Sequence, residues 1–398
     1  MKSLRELYKI GLGPSSSHTM GPDKAAKIFR AENPDADSYK VILYGSLALT
    51  GKGHLTDKAV LDELGAERTE LIFNNTVDDL PHANTMDFIA IKNGVESKPM
   101  RVLSVGGGAI KIEGRPEMDS PDVYPENSFA EIAEFCAQHC IRISDYVELR
   151  EGPEIWDYLH TCWQTMKRCI DEGLAATGTL HGGLGVERKA QHLYNQRHID
   201  ESSATRENRL VCAYAFAVAE QNADAGVIVT APTCGACGVV PSALKYMKEQ
   251  KGFSDDKIVR ALAVGGVIGN LVKTNASISG AECGCQAEIG TACSMCAAAL
   301  AELHEMGLGQ IEYAAEVAME HHLGLTCDPI AGLVQIPCIE RNAVAAMRAI
   351  NALSLANFLS STRKISFDMV VETMYETGRD LSHIYRETAE GGLAKLYK

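Results

Sequence analysis

The sequence predicts an α+β N-terminal domain followed by a mostly α-helical domain. Its 398 residues exceed the length at which a single hydrophobic core usually stops growing, so two domains are expected. Short apolar runs alternate with helical segments in the first third of the chain, whereas long alanine-rich segments dominate from Pro153 onward. We place the boundary near residues 142–152.

The N-terminal part combines helix and strand signals. A helix predicted over residues 22–31 follows a loop rich in hydroxyl groups, and Pro22 suits its first turn. A second helix is predicted over residues 56–64, with Thr56 as its N-cap and Gly65 as its stop. The remaining signals predict strands at residues 41–44, 70–73, 88–91 and 101–105 and a helix at residues 127–141.

Strand signals are few in the second part. Its alanine-rich segments predict helices over residues 209–223, 256–272, 286–305 and 340–359. Glycine-rich loops separate them at residues 178–185, 230–238 and 275–284. We therefore expect the functional groups of this part to lie on the loops between helices.

Composition excludes several classes of protein. Hydrophobic residues make up 46% of the chain and charged residues 23%, which is typical of a globular protein and not of a disordered one. The formal net charge of −14 argues against a nucleic-acid or anionic-membrane partner. The best apolar run, residues 261–272, is too short to span a bilayer, and residues 1–9 are too charged for a signal peptide. We expect a soluble, cytoplasmic protein.

The cysteines are unevenly distributed. There are 13 in the chain, none before Cys136, and nine of them lie from Cys212 to Cys338. This odd number in a long chain does not fit a secreted disulfide scaffold. The thiols are therefore either small core residues or ligands for a soft metal.

Two N-terminal motifs could bind or transform a small molecule. Residues 13–22 place the hydroxyls of Ser15, Ser16, Ser17 and Thr19 and the imidazole of His18 before a helix start, where a carboxylate or phosphate binds well. An N-cap with a turn is the alternative interpretation. In residues 51–57, His54 could act as a general base, although a histidine on a loop can also be a plain surface residue.

Two further motifs contain cysteines. Cys234 and Cys237 form a Cys-x-x-Cys pair, which suggests a redox or zinc site, and Cys293 and Cys296 could complete a four-cysteine zinc site. Residues 275–290 and 327–338 bring further thiols, among them Cys285, but their spacing does not match the compact ferredoxin pattern. Cysteines beside Asp-Pro and Ile-Pro are nevertheless expected at turns.

Taken together, these motifs resemble the bacterial iron–sulfur L-serine dehydratases. The resemblance rests on GPSSSHTMGP, LYGSLALTGKGHLTD, FNNT, TAPTCGACG, KTNASISGAECGCQAEIG, CDPIAGLVQIPCIERN and ETAEGGLA, which occur in this order along nearly the whole chain. It implies an α+β beta domain, similar to an allosteric substrate-binding domain, over residues 1–145. It also implies an α-helical catalytic domain over residues 150–398.

The resemblance further implies a 4Fe–4S cluster with one iron that is not ligated by cysteine. The matching ligand positions are Cys285, Cys327 and Cys338. Some longer members of the family carry a C-terminal cysteine that caps the fourth iron, and this chain has no cysteine after Cys338. The implied activity is the deamination of L-serine to pyruvate and ammonia by metal-assisted β-elimination of water, in amino-acid degradation and gluconeogenesis.

Roles for individual residues follow as hypotheses. His54 would remove the α-proton, and His18 with the neighbouring hydroxyls would hold the substrate carboxylate. Further substrate-binding candidates are Lys273, Asn275 and Ser279. The expected partner is a small amino-acid substrate, with no nucleic acid and no membrane, and the expected assembly is a homodimer.

Three alternatives stay open. A related iron–sulfur lyase could act on L-cysteine or L-threonine. A pyridoxal-phosphate dehydratase could use the glycines of residues 106–108 as its phosphate loop, although this run more readily closes a strand. A non-enzymatic module could be stabilised by zinc on Cys234, Cys237, Cys293 and Cys296.

Overall fold

The computed structural model describes residues 1–77, 79–82, 84–116, 120–197, 200–359 and 363–397. It separates into two compact units. One, here called the α+β unit, comprises Leu12–Asp119, and the other, the helical unit, comprises Met1–Gly11 together with Ser120–Lys398. The predicted α+β part followed by a mostly helical part is confirmed.

The first residues of the chain belong to the helical unit because polar groups fix them there. The Tyr8 hydroxyl donates to the carbonyl oxygen of Leu262 at 2.9 Å, and the Asn270 amide donates to that of Lys2 at 2.6 Å. The boundary region predicted at residues 142–152 also lies inside this unit. The assignment of residues 1–145 and 150–398 to two functional domains stays a prediction.

A six-stranded sheet forms the core of the α+β unit. Its central strand, Ser38–Tyr44, pairs in parallel with Thr69–Asn74 and antiparallel with Thr85–Lys92. Val41 and Leu43 point into the core, because alternate residues of a strand face the same side. The other strands are Val95–Glu96, Met100–Gly106 and Ala109–Ile112, and the helices are Gly21–Glu32, Gly45–Thr50 and Thr56–Leu64. The predicted strands and helices of this region are confirmed.

Two local predictions for this unit have different outcomes. Gly65 ends the helix with a φ of +91°, as predicted. The prediction of Thr56 as the N-cap is wrong: Leu55 occupies that position, and the Thr56 hydroxyl instead donates to the carbonyl oxygen of His18.

Residues 106–108 form the turn between two antiparallel strands, with φ of +100°, +54° and +72°. This run therefore closes a strand, as expected, and does not precede a helix.

The helical unit is built around one buried helix, Thr291–Leu303. All of its residues are buried, and it packs against Asp255–Asn275, Leu308–Glu320 and Cys338–Leu359. Small side chains allow this close packing, since a Cβ on Gly265 would lie 2.8 Å from the carbonyl oxygen of Met295. The predicted helix over residues 286–305 begins with a π-helical turn, Gln286–Gly290, before the α-helix.

The remaining helices of this unit surround that core. They are Phe129–His139, Ile143–Glu151, Glu154–Ala175, Ala190–Asn195, Ser203–Ala223, Val239–Lys251, Gly280–Cys283, Phe367–Asp380 and Gly392–Leu396. One short strand, Val227–Val229, pairs with Ile10–Leu12. Within the described part of the chain, no helix combines the length and apolarity that a membrane span requires.

Candidate functional site

Two of the predicted cysteine ligands and one glutamate meet in the helical unit. Cys285 precedes the π-helical turn that carries Glu288, and Cys327 lies on a loop. One ligand atom from each of Cys285, Glu288 and Cys327 lies within 4.8 Å of the other two. Two sulfurs and a carboxylate oxygen at this separation form a group that could hold a metal.

Cys338 lies outside this 4.8 Å group but within electrostatic reach of it. It is the first residue of the helix Cys338–Leu359. Burial raises the pKa of its thiol, and the charge of Cys285 raises it further. The structure thus brings Cys285 and Cys327 together, and it places Cys338 near enough to Cys285 for the charge of Cys285 to raise the pKa of the Cys338 thiol.

The loop that carries Cys327 is held by the C-terminal part of the chain. The amide of Cys327 donates to the carbonyl oxygen of Tyr385 at 2.7 Å, and its carbonyl oxygen accepts from the amide of Glu387 at 2.8 Å. Glu387 adopts a φ of +58°, which is uncommon for a residue with a Cβ. Backbone strain of this kind indicates that the surrounding contacts determine the conformation.

The thiol of Cys285 is biased towards its ionised form. A hydrogen bond with the Cys327 thiol lowers the pKa of Cys285, and the guanidinium of Arg341 also lowers it, against the effect of burial. The pKa of Cys327 is correspondingly raised well above its usual value by that hydrogen bond and by burial. The thiolate is the form that binds a metal, and the guanidinium of Arg341 favours this form at Cys285.

The Glu288 carboxylate is held by groups that the sequence analysis did not single out. The Thr233 hydroxyl donates to Oε1 of Glu288 at 2.7 Å. A Cβ on Gly280 would lie 2.8 Å from Oε2 of Glu288 and 3.0 Å from Sγ of Cys327. Gly280 therefore leaves open a space that both potential ligands border.

The two predicted histidines form a buried pair in the α+β unit. Their ring centroids lie 4.6 Å apart, and the exposed fractions of His18 and His54 are 4% and 2%. Nδ1 of His54 lies 3.1 Å from the carbonyl oxygen of Thr50, so Nδ1 carries the proton. Nε2 of His54 is buried and has no hydrogen-bond partner among the described residues. Burial lowers the pKa of His54 to about 4, so its imidazole is neutral.

His18 is surrounded by hydroxyl groups. Its Nε2 lies 2.9 Å from Oγ of Ser46, and its Nδ1 lies 3.2 Å from Oγ of Ser17. Burial, followed by the charge of His54, holds its pKa well below the usual value. Both histidines are thus available as neutral hydrogen-bonding groups.

The neighbouring hydroxyls have partly structural roles. Ser15 caps the π-helical turn Ser16–Met20 by accepting the amide of His18 at 3.2 Å. The Thr19 hydroxyl donates to the carbonyl oxygen of His54 at 2.7 Å. Ser15 therefore acts as an N-cap, as the alternative interpretation of this motif expected. The binding of a substrate carboxylate by these residues stays a prediction.

Three other predicted substrate-binding residues contact the backbone of the helical unit. Lys273 donates to the carbonyl oxygen of Glu6 at 3.0 Å, and Asn275 donates to that of Asn127 at 2.7 Å. The carbonyl oxygen of Ser279 accepts the amide of Cys283 at 3.0 Å, at the start of the helix Gly280–Cys283. These contacts order the segment that leads to Cys285, and a role in substrate binding stays a prediction.

The four cysteines of the zinc alternative lie in the core. Cys234, Cys237, Cys293 and Cys296 are all buried. The Cys293 thiol donates to the carbonyl oxygen of Ala345 at 3.2 Å. Across the described residues, the group of Cys285, Glu288 and Cys327 is the one set of three or more metal-binding side chains found close together. The structure therefore favours packing roles for these four thiols.

Comparisons with known proteins agree with this geometry. The family model described as serine dehydratase alpha chain matches residues 68–394, and the one described as serine dehydratase beta chain matches residues 3–72. The chain belongs to the serine dehydratase family. The alpha-chain match contains all the cysteines discussed above, and the beta-chain match contains both histidines.

Relatives from the serine dehydratase family align along their whole lengths. L-serine dehydratase 1 of Escherichia coli is 41% identical over 99% of this chain and 99% of its own. The L-serine dehydratase of Haemophilus influenzae is 38% identical with the same coverage. The L-serine dehydratase of Helicobacter pylori strain J99 is 39% identical over 100% of this chain and 99% of its own.

For this member of the serine dehydratase family, sequence reasoning missed several residues of the site. Glu288 and Thr233 lie inside motifs that the sequence already indicated, but only the cysteines of those motifs were assigned a possible metal-binding role. Arg341, in the motif CIERN, had no assigned role, and Ser46 precedes His54 within one continuous motif. One signal was present: Glu288 follows Cys285 by three positions, which places both on the same side of a helical turn.

Proposed function

We propose that this chain is an L-serine dehydratase that converts L-serine to pyruvate and ammonia. The observation that carries the proposal is the meeting of Cys285, Cys327 and Glu288 in a chain that aligns end to end with relatives named L-serine dehydratase. A small amino-acid substrate, a cytoplasmic location and a homodimer belong to the same proposal.

Cys285, Cys327 and Cys338 would hold a 4Fe–4S cluster, with one iron that is not ligated by cysteine. The residues present fit such a group. The Cys327 sulfur and a Glu288 oxygen border the space left by Gly280, and the guanidinium of Arg341 favours the thiolate of Cys285. When bound, the cluster supplies a Lewis acid that stabilises the departing hydroxide, which is a poor leaving group on its own.

His54 would remove the α-proton of the substrate through Nε2. The hydrogen bond from Nδ1 to the Thr50 carbonyl oxygen fixes the tautomer in which Nε2 carries a lone pair. A pKa of about 4 makes the free imidazole neutral but only weakly basic. A bound substrate carboxylate would raise this pKa, since a nearby negative charge favours the protonated ring.

His18 and the hydroxyls of Ser15, Ser16, Ser17 and Thr19 would bind the substrate carboxylate. Ser46 would orient His18, because its hydroxyl lies 2.9 Å from Nε2. Lys273, Asn275 and Ser279 would contribute by ordering the loop before Cys285. Loss of the β-hydroxyl after α-proton removal leaves aminoacrylate, which tautomerises to the imine and is hydrolysed to pyruvate and ammonia.

The decisive experiment is anaerobic reconstitution of the full chain with iron and sulfide, followed by a pyruvate assay on L-serine. We expect brown protein, bound acid-labile sulfide and pyruvate formation that is lost in air. Parallel assays with L-threonine and L-cysteine, which give 2-oxobutyrate and pyruvate, test the alternative substrates. Full iron and sulfide content without turnover of L-serine would refute the proposed substrate, and zinc without sulfide would refute the cluster.

A further inference from the structure

The carboxylate of Glu288 occupies an unusual position for an acidic side chain. One of its oxygens lies within 4.8 Å of the sulfurs of both Cys285 and Cys327. A second acid, Glu387, contacts the same loop, because its amide donates to the carbonyl oxygen of Cys327 at 2.8 Å. Sulfur and carboxylate oxygen atoms that converge in this way are a donor set that iron accepts.

The carboxylate is also oriented. Thr233 donates to Oε1 at 2.7 Å, and a Cβ on the neighbouring Gly235 would lie 3.3 Å from the same oxygen. Oε2 borders the space beside Gly280 that the Cys327 sulfur also borders. One oxygen is thus anchored, and the other borders the space beside Gly280 together with the Cys327 sulfur.

The segment that anchors Oε1 is held by hydrogen bonds of its backbone. Asn342 donates to the carbonyl oxygen of Gly235 at 2.8 Å and accepts the amide of Gly238 at 2.9 Å. Thr233 has an exposed fraction of only 6%. The motif TAPTCGACG therefore serves the site through its threonine and its backbone, while its two cysteines are buried in the core.

We propose that Glu288 provides an oxygen ligand to the iron that no cysteine binds, and that Thr233 positions this carboxylate. The inference rests on the proposed function, since it requires the cluster. It assigns the fourth protein ligand to an acidic side chain and gives the Thr233 hydroxyl a positioning role.

A direct test needs no substitution. The full chain is produced with carboxyl-¹³C glutamate and unlabelled glutamine, reconstituted anaerobically and reduced without substrate. Electron–nuclear double resonance then reports ¹³C nuclei close to the cluster. We expect a ¹³C coupling in the labelled wild type, and an assembled cluster without any such coupling overturns the inference.

Variants assign the coupling to a residue. Glu288→Gln should abolish it and change the Mössbauer parameters of one iron among four, whereas Glu282→Gln, the same change on the same segment, should alter neither. Persistence of the coupling in Glu288→Gln together with its loss in Glu387→Gln would give the ligand role to Glu387 and refute the proposal. If Glu288→Gln assembles no cluster, the test uses the labelled wild type and Glu387→Gln. A ¹³C coupling that is present in the wild type and kept in Glu387→Gln supports Glu288 as the ligand. Absence of the coupling from the wild type, or its loss in Glu387→Gln, refutes the proposal.

The positioning role has its own readout. Thr233→Val should weaken the ¹³C coupling while three irons keep their spectra, and Thr233→Ser, which keeps the hydroxyl, should restore it. An unchanged coupling in Thr233→Val refutes the positioning role. Failure of the wild type to take up sulfide refutes the proposed cluster itself, and that outcome is distinct from a cluster without a carboxylate ligand.

Discussion

Arg341 lies 3.1 Å from the carboxylate of Asp328, and this ion pair joins the two segments that carry Cys327 and Cys338. Both side chains are largely buried, with exposed fractions of 16% and 5%. Arg341 also donates to the carbonyl oxygen of Thr326, and Asp328 accepts the amide of Leu393 at 2.8 Å. The pair therefore connects residues 326–328, the start of the helix Cys338–Leu359 and the segment at Leu393.

Asp328→Asn is expected to destabilise the helical unit by about 3–5 kcal/mol, because it removes the carboxylate charge that pairs with the buried guanidinium of Arg341. Tryptophan fluorescence during urea unfolding measures this, since Trp156 and Trp163 both lie on the helix Glu154–Ala175. The control is Glu305→Gln, which breaks an exposed pair with Lys257 and should leave the unfolding midpoint unchanged. Equal effects of the two variants would contradict the prediction.

Gly280→Ala is expected to reduce iron uptake strongly while the fold persists. The added methyl group would meet Oε2 of Glu288 at 2.8 Å and Sγ of Cys327 at 3.0 Å, and would fill the space they border. Iron and sulfide per chain, with circular dichroism as the fold measure, test this. In the control, Gly309→Ala, the methyl group meets nothing within 4 Å. This change should raise the free energy of unfolding by up to about 1 kcal/mol, because it replaces a helical glycine. Full iron content in Gly280→Ala would show that this space is not needed.

Single cysteine-to-serine changes should separate ligands from core thiols. Cys285→Ser, Cys327→Ser and Cys338→Ser are each expected to lose most of the iron and sulfide, because a serine hydroxyl does not replace a soft thiolate ligand. Cys237→Ser and Cys293→Ser alter buried thiols outside the group of Cys285, Glu288 and Cys327 and should keep the metal. Metal analysis after anaerobic reconstitution decides. Loss of metal in Cys237→Ser with retention in Cys338→Ser would reverse the assignment.

Replacement of the proposed base should lower turnover. His54→Gln is expected to reduce kcat on L-serine by about 10²- to 10⁴-fold, the usual contribution of a positioned general base. Iron and sulfide content should not change, because His54 and the cysteines lie in different units. The matched control is His192→Gln, which alters an exposed histidine and should keep full activity. Near-normal turnover in His54→Gln with an intact cluster would exclude His54 as the base.

Stability of the α+β unit should fall in acid because of His54. Its pKa is about 4 in the folded chain, since burial disfavours the charged ring, whereas an unfolded chain has a histidine pKa of about 6.5. Between these values the unfolded chain binds more protons, so the free energy of unfolding decreases as the pH falls. The contribution of His54 over this window is on the order of 3 kcal/mol.

Hydrogen exchange at matched pH measures the effect. Amides of the helix Gly21–Glu32 in the wild type should lose protection between pH 7 and pH 5. In His54→Gln the loss should be smaller, because one buried titrating ring is gone and His18, whose centroid lies 4.6 Å away, remains. Parallel pH dependence in the two proteins would contradict the assignment of this effect to His54.

Much of the architecture could be predicted from local pattern. Thr69–Asn74 and Thr85–Lys92 were visible as apolar runs, and Asp255–Asn275 as an alanine-rich segment, because strand and helix periodicities are short-range properties. The prediction of Thr56 as an N-cap was wrong because its hydroxyl donates instead to the carbonyl oxygen of His18, which is distant in sequence. Local sequence propensities do not show that a residue far away in the sequence will compete for a hydrogen-bond donor.

By itself, the sequence determined the class of fold, the motifs and the cysteines that are candidates for a metal. Only the tertiary structure decided which side chains stand beside one another. Glu288 joins Cys285 and Cys327, Thr233 anchors Glu288, and Nε2 of His54 has no hydrogen-bond partner in the part of the chain that the structure describes. The physical reason is that hydrogen bonding, ion pairing and metal ligation depend on distances of a few ångströms between residues far apart in the chain. Those distances are set by the packing of whole helices and loops.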